Sequence, residues 1–405
     1  MQTLSISDVP ALARLQQRAL IVGAVALVAG LAGAAMDTDQ FFRSWLIGFL
    51  FCLGLTLGSL ALLMLQHLSG GQWGLVGRRV FEAASRTLPF VIVMFVPLIF
   101  GMRALFLWAQ PEAVAADPIL QIKEPYLNVT FFFIRAVVYF VFWLALVWIL
   151  TKWSDEQDRG IGTTTLDSVR FRKVSAPGLL FLVLTVTFAS VDWIMSIDPH
   201  WFSTIFGLLT IGGWGLSALA LAIAVLAMIE PDRAGAVLNA RHFHDLGKLL
   251  LAFVMLWAYL SFSQFLIIWS GNLPEEIPWY IQRIRGGWGI VAVLLVLGHF
   301  ALPFALLLSR DLKRRSATLA RVAIFVLVMR LVDLIWLVAP TFSHAVPGEA
   351  ADAHAPYFPL HWMDVAIPIG LTAIWLFLFA RQLRARPLFP ANDPYFKEAF
   401  AHEAH

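Results

Sequence analysis

Six side chains that carry or take up charge fall inside long apolar runs of this 405-residue chain: Arg103, Arg135, Asp192, His299, Arg330 and Asp333. A charge at bilayer depth costs ~2.5–3.5 kcal/mol on insertion scales, so each needs a partner, a wet cavity or a task. Arg330 and Asp333 stand three apart on one helix face. They can neutralise each other as a structural pair, or serve as a proton step or a quinone-headgroup contact. Asp192 shares a face with Ser196 and has no basic residue on its own helix, which suits an acid exchanging protons near a membrane surface. Arg135 shares a face with Tyr139, and Arg103 is expected to snorkel to the headgroups. Tyr259, Ser261, Ser263 and Gln264 add neutral hydrogen-bonding groups on a neighbouring run.

His299 has three possible uses: a haem ligand, a quinone or proton contact, or a core hydrogen bond. A bis-histidine haem needs a second deep histidine, but His67 and His361 lie at the ends of apolar runs and the others in loops or the tail. With Cys52 as the one cysteine, there is no Cys-x-x-Cys-His haem motif, no intrachain disulfide and no thiolate set for an iron–sulfur cluster. His344, His354 and His361, with Glu349, Asp352 and Asp364, are too irregularly spaced for a metal site and read as a solvated loop. His242 and His244 read as structural or interfacial. Phosphate loops, nucleophile elbows and His-Glu-x-x-His zinc motifs are missing, so the chain is expected to bind no cofactor or metal of its own.

These residues must be positioned by membrane helices. The chain is 60% hydrophobic and 14% charged, with 16 Trp and 33 Phe and a mean hydropathy of +0.78, which excludes a soluble globular domain. Runs able to cross ~30 Å of hydrocarbon are read at residues 19–36, 45–67, 88–109, 130–151, 176–196, 203–229, 249–270, 288–309, 318–340 and 363–380. The fold expected is an all-α polytopic membrane protein of about ten transmembrane helices. It has a ten-helix domain at 19–380, a cytoplasmic surface segment at 1–18 and a cytoplasmic tail at 381–405. The first run lacks a cleavage site and is expected to be a span. Twenty-one of the 29 Lys and Arg residues lie on the side of the termini and four on the other, which predicts both termini in the cytoplasm. The mild net charge of +3 is topological and points to membrane lipid rather than nucleic acid. On this topology Arg103, Arg135, Asp192 and Asp333 lie in the outer half, with Arg330 and His299 near mid-membrane.

Three segments carry a family resemblance: FFFIRAVVYFVFW at 131–143, FASVDWIMSIDPHWFSTIFG at 188–207 and SFSQFLIIWSGNLPEEIPWY at 261–280, joined by NDPYFKEAF at 392–400 in the tail. With ten spans, the chain closely resembles the F subunit of alternative complex III, a bacterial quinol:cytochrome c oxidoreductase related in its membrane part to polysulfide reductase. The resemblance implies two four-helix bundles, spans two to five and six to nine, plus two flanking helices. It implies as partners a sister integral subunit, multihaem and monohaem cytochromes c, an iron–sulfur protein, small anchored subunits and, in some assemblies, cytochrome c oxidase. Haem c and iron–sulfur clusters would belong to those partners. Quinol would bind in the sister subunit or also here, in the bacterial inner membrane, and this chain would contribute a proton half-channel. The residues expected in a proton or quinone-related network are Asp192, Arg135, Arg330, Asp333 and His299, lined by Tyr259, Ser263 and Gln264. Two other readings stand beside it: a structural scaffold, and a secondary transporter. The transporter reading rests on ten spans with a few buried charges; Gly212, Gly213 and Gly215 offer a break in span six, but no counterpart is evident in another span.

Overall fold

The computed structural model describes residues 9–229, 238–285, 287–342, 360–390 and 392–396. Among them are ten helices long and apolar enough to cross a membrane: α1 (Pro10–Ala34), α2 (Thr38–Ser69), α3 (Gln72–Phe100), α4 (Val129–Asp158), α5 (Thr165–Ile197), α6 (Phe206–Ile229), α7 (Ala240–Gly271), α8 (Trp288–Leu308), α9 (Ser316–Phe342) and α10 (Met363–Arg384). The protein is an all-α polytopic membrane protein.

Local chemistry sets the helix starts. Pro10 opens α1, where its missing N–H is not needed. Asp37, Asn128 and Asn239 accept first-turn amides of α2, α4 and α7, and Thr164 with Asp167 forms a capping box on α5. Of the segment 1–18 expected on the membrane surface, residues 10–18 are the first turns of α1 itself, and residues 1–8 lie outside the described residues.

Helices α2 and α6 are buried almost throughout and pack on each other, so they form the spine of the molecule. Between helices in a bilayer there is little hydrophobic drive, and close approach of small residues supplies packing instead. Gly54 and Gly58 on α2 do this: a Cβ at either would collide with Trp214 of α6. One bundle is built from α2 to α5 and the other from α6 to α9, while α1 lies against α10 and α10 against α2. Arg384 at the end of α10 donates to Gln16 near the start of α1 at 2.5 Å, so both described chain ends share one face. We call it the termini-bearing face, and its opposite the far face.

The third span departs from its expected place at 88–109. Helix α3 begins at Gln72, is interrupted at Arg86 and Thr87, and ends at Phe100. Arg103 falls beyond it, exposed in the one-turn helix Met102–Leu105.

Candidate functional site

In the first bundle, α4 and α5 bring Arg135 and Asp192 together near the far face. The guanidinium donates from Nε and Nη2 to the two Asp192 carboxylate oxygens at 2.9 and 2.8 Å, and from Nη1 to the Tyr126 carbonyl at 2.9 Å. Its plane lies over the Tyr126 and Phe131 rings, at 3.8 and 4.5 Å. The Tyr139 hydroxyl donates to Asp192 at 3.0 Å. Asp192, 0% exposed, has its basic partner on a neighbouring helix, none being on its own. Ser196 serves the backbone instead, donating to the Asp192 carbonyl at 2.5 Å where α5 tightens into a 3₁₀ turn. Trp193, the next residue, anchors the site by packing on Phe49, Phe95, Phe140 and Trp143.

In the second bundle, Arg330 and Asp333 of α9 form a buried ion pair, and the Trp257 indole of α7 also faces the Asp333 carboxylate. His299 of α8 is 0% exposed, stands 3.9 Å from the Trp257 ring, and has neither ring nitrogen hydrogen-bonded among the described residues. Its backbone is also unusual, since Leu295–Ala301 is a π-helix. Pro303, four residues on, has no N–H to close on the His299 carbonyl, and the turn widens there. The fourth helix contributes space. A Cβ at Gly213 of α6 would overlap the Arg330 guanidinium, and one at Gly215 the Phe253 ring. The glycines thus admit side chains of neighbouring helices, and α6 continues through them unbroken. A Gly213→Ala chain is expected to lose about 1–3 kcal/mol of stability through this overlap, read as a lower thermal midpoint in detergent.

The other expected lining residues divide. Gln264 is buried and joins far-face segments, accepting from Ser203 at 2.9 Å and donating to Tyr280 at 3.3 Å. Ser263 is half-buried beside it. Tyr259 is 66% exposed on the outward side of α7 and lines neither cluster, because two residues from Trp257 at ~100° each turn it to the opposite face. No hydrogen bond or ion pair joins the Arg135–Asp192 cluster to the Arg330–Asp333 cluster among the described residues. They are two sites, one per bundle.

A third cluster, at the termini-bearing face, escaped the sequence reading, which took its arginines for loop charges. Glu82 accepts from Arg78 at 2.8 Å, Arg79 at 2.7 Å and Ser154 at 2.7 Å. Arg78 also donates to Asp393 at 2.5 Å and Gln157 at 3.0 Å, while Arg79 pairs with Asp158. Arg86 and Arg386 both reach Asp155, at 2.7 and 2.9 Å. The signal available was the spacing: Arg78 and Arg79 stand four and three residues before Glu82.

Arg283 was likewise read as a loop charge. It lies outside the spanning helices, in the short helix Ile277–Ile284, yet is 1% exposed. It stacks on Trp279 at 3.6 Å and donates to the carbonyls of Trp279 and Leu337 and to the Thr341 hydroxyl. Burial pushes its pKa down to about 9, against opposing contributions from Asp198 and Tyr280. Burial pushes the neighbouring Tyr280 phenol up to about 12.

Compared with protein-family models and with curated proteins, the chain matches none of either.

Proposed function

We propose that this chain is an integral subunit, without a redox cofactor of its own, of a bacterial quinol:cytochrome c oxidoreductase of the alternative complex III type. It lies in the cytoplasmic membrane with both termini in the cytoplasm, so the far face is periplasmic. The sister integral subunit, cytochromes c and an iron–sulfur protein carry the electrons, and this chain helps quinol protons leave toward the far face. The resemblance across 188–207 and 261–280 supports the choice of complex.

The observation that carries the reading is the placement of a buried, ion-paired carboxylate in each four-helix bundle, Asp192 in one and Asp333 in the other. A carboxylate held by arginine can take a proton only if the pair opens, and each pair has a neighbouring group able to exchange one. Tyr139 touches Asp192. His299 stands beside the Trp257 ring that faces Asp333, with both ring nitrogens unpartnered.

The complete hydrogen bonding of Arg135 favours a second reading, in which the pairs only fix helix packing and the chain is a scaffold. The intact complex carrying Asp192→Asn separates the two. Quinol:cytochrome c reductase turnover is expected to fall at least about tenfold, ~1.4 kcal/mol in barrier, with subunit composition and haem content unchanged. Normal turnover in Asp192→Asn and Asp333→Asn would leave the scaffold.

A further inference from the structure

At the far face, the start of α2, the end of α9 and the segments following α3, α5 and α7 converge on a cavity of about 690 Å³. Its lining charges balance, with Arg43 and Arg103 against Asp198 and Glu275. Neither arginine has an ion-pair partner among the described residues, although Asp198 stands 4.0 Å from His200. Arg43 rests its guanidinium on the Phe342 ring at 4.6 Å. The charged groups that line the cavity are therefore two guanidinium groups and two carboxylates, which match a guest that carries both an anion and a cation.

The cavity's level narrows the choice. It is lined by residues at and just beyond the ends of the spanning helices, and two of its lining side chains are the indoles of Trp201 and Trp279, stacked at 4.3 Å, a residue type enriched at headgroup depth. A simple anion would face two carboxylates as well as two arginines. A zwitterion with a phosphate at one end and an N–H-bearing cation at the other uses both pairs.

We propose that this cavity is a phospholipid-headgroup site for phosphoethanolamine, with the phosphate diester against Arg43 and Arg103 and the ammonium against Asp198 and Glu275. The ammonium has hydrogens to donate to the carboxylates, whereas the trimethylammonium of phosphocholine has none. The volume falls within the ~300–1,000 Å³ of small-molecule sites, enough for the headgroup, its glycerol and bridging water. The site lies outside the ion-pair clusters and does not depend on the assembly in which the chain works.

Native mass spectrometry of the full chain, delipidated in detergent and titrated with phosphatidylethanolamine, phosphatidylcholine or inorganic phosphate, tests the assignment. One phosphatidylethanolamine per chain is expected, bound about tenfold more tightly than phosphatidylcholine, a charge-assisted hydrogen bond's worth. Arg43→Gln is expected to weaken it about tenfold. Glu275→Gln, at an exposed rim position, should bring the two lipids to within about threefold of each other. Equal uptake of both lipids by the unmodified chain, or undiminished uptake by Arg43→Gln, overturns the proposal. Inorganic phosphate that binds alone and blocks the lipid would mean a free-anion site and overturns it too. Should Arg43→Gln not fold, the lipid comparison and Glu275→Gln still decide.

Discussion

Replacing Arg135 by leucine is expected to cost the protein about 3–5 kcal/mol, because the change leaves Asp192 buried with no cation. The loss should exceed that of Asp192→Asn, in which the arginine keeps its bond to the Tyr126 carbonyl and its place over two aromatic rings. The carboxylate has no such fallback: beyond Arg135 it has only neutral phenols beside it among the described residues, Tyr139, which donates at 3.0 Å, and Tyr126. Combining Arg135→Leu with Asp192→Asn should therefore recover part of the loss, giving a positive coupling in a double-mutant cycle. Thermal unfolding of the four chains in one detergent reads this directly. If Arg135→Leu melts like the parent, then Asp192 is carried neutral or reached by water, and the pair is no source of stability. Stability and turnover are separate readouts here. Asp192→Asn can leave the fold nearly intact and still stop a proton from passing.

The ten spans were legible because about 20 apolar residues in a row have few alternatives to crossing a bilayer. The third span shows the limit. Arg78, Arg79 and Glu82 make the first half of α3 look like a loop, and hydropathy does not register that Arg78 meets Asp393, 315 residues away. Charge is counted along the chain, but neutralisation happens across the fold. The same limit hid the partner of Asp192, which lies on another helix, 57 residues back. Rotation was hidden for a different reason. In water an apolar stripe marks the core, but in lipid both sides of α7 are apolar, so Tyr259 outward and Gln264 inward look alike in sequence. The π-turn at His299 had a visible cause in Pro303, but proline four residues on more often kinks a helix than widens it.

The termini-bearing cluster carries the other large effect. Glu82→Gln is expected to destabilise the protein by about 3–5 kcal/mol, since it strips the shared carboxylate from two arginines that are 1% and 2% exposed. The amide would also turn hydrogens toward guanidinium groups that have only hydrogens to offer. Asp393→Asn, which breaks one ion pair of the same network, should cost less. Arg78 keeps Glu82 and Gln157, and Asp393 borders a cavity of about 390 Å³ where water can approach. Its effect should instead appear in the tail. Residues 392–396 are held by the Arg78–Asp393 pair, by Asn392 donating to the carbonyls of Gln157 and Asp158, and by Arg172 over the Tyr395 ring. Losing the one charged bond should make the tail more sensitive to limited proteolysis while the thermal midpoint moves little. If Asp393→Asn lowers the midpoint as far as Glu82→Gln, the tail is an integral part of the first bundle's packing. If neither moves it, water reaches Arg78 and Arg79 more freely than their burial implies, and the cluster is a hydrated vestibule rather than a sealed network.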